Sequence, residues 1–101
     1  MAEGMQYQEE FKMQFSDNCI NMALNILRSS GIRLNSSDIS ELEYFVKAAL
    51  RRVPEETLSV RAREYESRLR DLMERVAEEM SQSRRSFREI IQKICPWHPW
   101  C

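Results

Sequence analysis

The sequence predicts an all-α fold: an antiparallel helical bundle of three to four helices with a long, coiled-coil-like third helix. Three observations predict it. The 101 residues include only two Gly and three Pro. Residues 55–94 contain neither. Apolar side chains recur at spacings of three and four through most of the chain, which places them on one side of a helix. The expected organisation is a flexible N-terminal arm over 1–9, a single helical domain over 10–94 and an extended Trp/Pro/Cys tail over 95–101.

Composition narrows the function classes. Apolar residues at 43% exclude general disorder, while charged residues at 31% oppose a membrane protein. No run approaches the roughly 18 apolar residues that a spanning helix needs. A net charge of −1 gives no general attraction to nucleic acid. The opening residues Met1–Phe11 carry Glu3, Glu9 and Glu10 and no hydrophobic block, which predicts no secretory signal. With three Cys, an odd number, the simplest expectation is an intracellular protein, cytoplasmic or nuclear, with reduced thiols.

The first helix is expected from the steps Phe11, Phe15, Cys19, Met22 and Ile26, widened by Ile20, Ala23, Leu24 and Leu27. So wide a stripe suits burial against more than one neighbour. Gly31 is placed to cap its end in the left-handed conformation, with Ile32 and Leu34 covering it. Asn35-Ser36-Ser37-Asp38 is a cluster of helix-starting residues, and Asp38 with Glu41 has capping-box spacing, so the second helix is expected from about Asp38. Its buried face is Ile39, Leu42, Val46, Ala49, Leu50 and Val53, with Tyr44 and Phe45 at the edges. Pro54 stops it and suits the start of the next helix. A tight reversal there is expected to lay helices two and three side by side.

The third helix carries the seam Leu58, Ala62, Tyr65, Leu69, Met73, Val76, Met80, Ser83, Phe87, Ile90 and Ile94, with an irregular step at Leu72–Met73. A seven-residue average is the pattern of a coiled coil, and the irregular step equally fits a bundle helix with a wider stripe. Glu64–Arg68, Glu66–Arg70, Asp71–Arg75, Arg75–Glu79 and Glu89–Lys93 are spaced for ion pairs on a solvated face, each worth about 0.2–0.5 kcal/mol. Residues 81–86 are the soft point, because Ser86 with Glu89 can restart the helix. An unbroken helix leaves Phe87, Ile90, Ile91 and Ile94 projecting toward another chain. A broken one folds them back to complete a four-helix bundle.

Chemistry-bearing residues concentrate in the tail. Cys95, His98 and Cys101 are three apart and offer two thiolates and an imidazole to zinc. A closed structural site takes four ligands, so zinc is admitted but not favoured, and no cofactor is expected. The preferred reading of the tail is apolar, with Trp97 and Trp100 as packing or partner anchors. Trp97-His98-Pro99-Trp100 resembles the C-terminal Trp-Arg-Pro-Trp peptide of Hairy/Enhancer-of-split repressors, with His98 in place of the Arg and Cys101 following. That resemblance implies recruitment of a Groucho-type corepressor through its β-propeller, although no basic helix-loop-helix region lies upstream.

Catalysis is not expected. The single His lies in the tail, no phosphate-cradling Gly loop is present, and the carboxylates fall on exposed helix faces beside Arg. Cys19 on its apolar stripe reads as core. The functional expectation is a non-enzymatic helical protein–protein interaction module, an adaptor or assembly subunit. It is expected to bind itself or another helical protein through the seam of residues 69–94. The expected contact residues are Met80, Phe87, Ile90, Ile91, Ile94, Trp97 and Trp100.

Overall fold

The computed structural model describes the backbone of residues 2–83 and 85–94 and the side chains of 10–83 and 85–93. The chain is all-α, with four helices among the described residues: α1 Ala2–Ser29, α2 Ser36–Arg51, α3 Glu55–Gln82 and α4 Phe87–Ile94. At 28 residues each, α1 and α3 are about 42 Å long and account for most of the 50 Å long axis. Residues 2–9, expected as an arm, carry the backbone of α1. Ala, Glu, Met and Gln favour that continuation, and the one Gly within it, Gly4, costs only about 1 kcal/mol.

α1 ends as its sequence requires. Gly31 has φ +82, and Ile32 N–H donates to the Leu27 carbonyl at 2.9 Å while Gly31 N–H donates to Arg28 at 3.0 Å. These paired bonds satisfy carbonyls that the helix end would otherwise orphan, and Ile32 packs over the end. The cap of α2 lies one turn earlier than the expected Asp38–Glu41 box. Asn35 is the N-cap: its Oδ1 accepts from Asp38 N–H at 2.8 Å, and Asp38 Oδ2 accepts from Asn35 N–H at 3.2 Å. The shorter Asp side chain closes the reciprocal pair here in the place usually taken by Glu or Gln.

Three contacts from α1, one to the turn that precedes α3 and two to α3 itself, set the directions. Lys12 Nζ donates to the Val53 carbonyl at 3.0 Å, Cys19 lies within electrostatic reach of Glu66, and Arg70 approaches Met22 Sδ at 3.9 Å. The residue numbers rise together, so α1 and α3 run parallel, with α2 returning between them. α1 makes its most extensive contacts with α3, and α2 packs on α1 and α4. The expected pairing of α2 beside α3 is therefore replaced by α1 beside α3. The wide stripe of α1 serves two neighbours, and its small buried side chains, Cys19 and Ala23, permit close approach.

In α3, Leu58, Tyr65, Leu69, Leu72, Met73, Val76 and Ala77 are buried. Both residues of the irregular step face the core, so the step widens a bundle stripe. The helix is kinked at Arg61 (φ −111, ψ 19), where neither Pro nor Gly dictates it. α3 ends where the Ser-rich stretch begins: Ser81 Oγ and Ser83 Oγ donate to the Ala77 and Glu79 carbonyls, and Ser83 is extended. Ser86 Oγ then accepts from Glu89 N–H at 3.3 Å and starts α4. α4 folds back onto α3 and α2. Of the four-spaced ion pairs, Glu64–Arg68 closes at 2.7 Å, and Glu64 also pairs with Arg61 at 2.8 Å. Arg70 has turned toward Met22 instead of Glu66.

Candidate partner-binding surface

The far end of the seam is an internal surface. Phe87 is 1% exposed, Ile90 3% and Ile91 6%, all within the core cluster that contains Leu42, Val46, Leu69, Met73 and Val76. Met80 is partly buried against the same cluster. Of the two alternatives open for this segment, the broken helix is the one present: α3 ends at Gln82, α4 starts at Phe87, and Phe87, Ile90 and Ile91 cover the chain's own seam. An eight-residue helix is not stable alone. These three side chains, at about 1.5–3 kcal/mol each, hold α4 in place. The side chain of Ile94 and the whole tail, with Cys95, Trp97, His98, Trp100 and Cys101, lie outside the described residues. Among the described residues no cluster of three His, Cys, Asp or Glu side chains is placed to hold a metal ion. No described helix is long and apolar enough to cross a membrane.

Cys19 is 1% exposed and free. Burial, and secondarily the charge of Glu66, push its thiol from an ordinary 9.0 up to about 12. It therefore keeps its proton at neutral pH and packs as an apolar side chain. With Cys95 and Cys101 changed to Ser, so that Cys19 alone reports, the native chain is expected to resist a thiol reagent at pH 8 and to react on denaturation. Because folding raises this pKa, the associated stability is complete below the unfolded value and is lost as pH climbs from about 9 toward 12. A denaturation midpoint that holds constant across that window would contradict the burial argument. At the surface, hydrogen bonding from Arg61 draws the Glu64 carboxyl below its ordinary value.

Exposed apolar side chains lie elsewhere. Met13 is 66% exposed and Val60 84%, with Tyr44 and Phe11 also exposed. Phe11 stacks on buried Phe15, ring centroids 6.2 Å apart. Met13 borders a cleft of about 430 Å³ between α1 and α2. Lys12, Met13, Ser16 and Asp17 form its α1 wall, and Lys47, Leu50 and Arg51 form its α2 wall. Lys12 spans to the Val53 carbonyl, and Ser16 Oγ donates to the Lys12 carbonyl at 2.8 Å. Lys47 and Arg51 are exposed and make no ion pair among the described residues. Sequence reasoning missed this cleft. Its one local signal is Lys47 and Arg51 four apart on the polar side of α2, but the facing Met13 depends on how α1 and α2 align.

No family model, curated protein or solved structure matches the chain.

Proposed function

We propose that the chain is a helical protein–protein interaction module, an adaptor or assembly subunit, that binds a helical partner or a second copy of itself. The observation that carries this reading is Met13: a large apolar side chain 66% exposed beside a cleft in the α1/α2 surface. Exposed apolar groups next to a concave surface are the usual anchors of a partner. The surface that supports the reading is thus α1/α2, since Phe87, Ile90 and Ile91 are occupied within the chain.

The test compares wild type with Met13→Asp. Substitution at so exposed a position changes stability by no more than about 0.5 kcal/mol. Immobilised wild-type chain is expected to retain a defined set of proteins from a native extract, or light scattering is expected to report a mass above 12.1 kDa. Met13→Asp is expected to reduce that association about tenfold, the equivalent of 1.4 kcal/mol. Equal retention by both chains, with both remaining monomeric, overturns the reading.

A further inference from the structure

Resting on that reading, we infer that the α1/α2 cleft receives an acidic amphipathic helix, with an apolar side chain of the partner against exposed Met13 and its carboxylates on Lys47 and Arg51. Charge selects the occupant. Three cations, Lys12, Lys47 and Arg51, line the cleft against one carboxylate, Asp17. Two of those cations are exposed and without an ion-pair partner among the described residues, so an incoming carboxylate meets a cation that no internal acid has neutralised.

Spacing selects its form. Lys47 and Arg51 are one helical turn apart on α2, which sets their Cβ atoms about 5–6 Å apart. Carboxylates at i and i+4 of an incoming helix have the same separation. An apolar residue beside such carboxylates is the counterpart of Met13, which is exposed at the cleft. Asp17, on the opposite wall, repels an acid placed on the α1 side and so favours one orientation.

The probe is a synthetic amphipathic peptide with Leu along one stripe and Glu at i and i+4 beside it. It is titrated into the full isotope-labelled chain and followed by amide chemical shifts and by fluorescence anisotropy. Shifts are expected at Met13, Lys47, Leu50 and Arg51, with affinity falling as salt rises. The double variant Lys47→Glu/Arg51→Glu is expected to lose about tenfold or more in affinity, and a peptide with Glu replaced by Lys is expected to recover it. Shifts centred elsewhere, unchanged affinity in the double variant, or equal binding of single-stranded DNA overturn the inference. The two readings fail separately. A double variant that keeps native association, while Met13→Asp loses it, removes the acidic helix and leaves the interaction module standing.

Discussion

Ile90→Asp is expected to unfold the far end of the bundle and to lower the denaturation midpoint of the whole chain. Ile90 is 3% exposed among apolar side chains of the common core. A carboxylate there either loses its hydration without a partner or tears α4 away from α3 and α2. Removing compensation from a buried charge costs about 3–5 kcal/mol, a large share of the roughly 5–15 kcal/mol by which domains are stable. Circular dichroism during urea titration reads the effect as lost helicity and an earlier midpoint. Full helicity at an unchanged midpoint, with only a fall in particle mass, would instead make Ile90 part of an interface between chains.

Leu69→Ala is expected to cost about 2–5 kcal/mol, the range for truncating a fully buried Leu. Leu69 has no exposed surface and lies near the middle of α3, the helix that packs most extensively on α1. The control is Val60→Ala, nine residues earlier on the same helix and 84% exposed, expected within about 0.5 kcal/mol of wild type. Both are read as shifts in urea midpoint at constant slope. Equal effects of the two substitutions would contradict the burial pattern of α3.

The elements themselves were legible in the sequence because their signals are local. Gly31 after Ser29–Ser30, the polar cluster before Ile39, Pro54 after Val53 and the Ser-rich stretch before Phe87 each act through backbone geometry within a few residues. The apolar stripes of α1 and α3 named most of the buried side chains for the same reason. Pairing was not local. Whether α3 meets α2 or α1 depends on which stripes accommodate each other, and the width of the α1 stripe implied two neighbours without naming them. The fate of Phe87, Ile90 and Ile91 turned on whether the break lets α4 return, and Ser86 with Glu89 marked that break without fixing its angle. The cleft was the least legible feature. Met13 and Arg51 come together only once α1 and α2 have aligned, and neither residue is unusual in its own segment.

The parallel pairing of α1 with α3 has a kinetic consequence. Met22 and Arg70, which meet across that pair, are 48 residues apart in sequence. Chain entropy must be surrendered to close that separation before the main core forms, whereas the α1–α2 hairpin closes over a short turn. During synthesis, α1 and α2 emerge first, and the side of α1 that carries Cys19 stays wet until the middle of α3 follows. The main core therefore waits on the arrival of α3, the helix against which α1 packs most extensively, and α4, which follows α3 in the chain, adds its apolar face to that core.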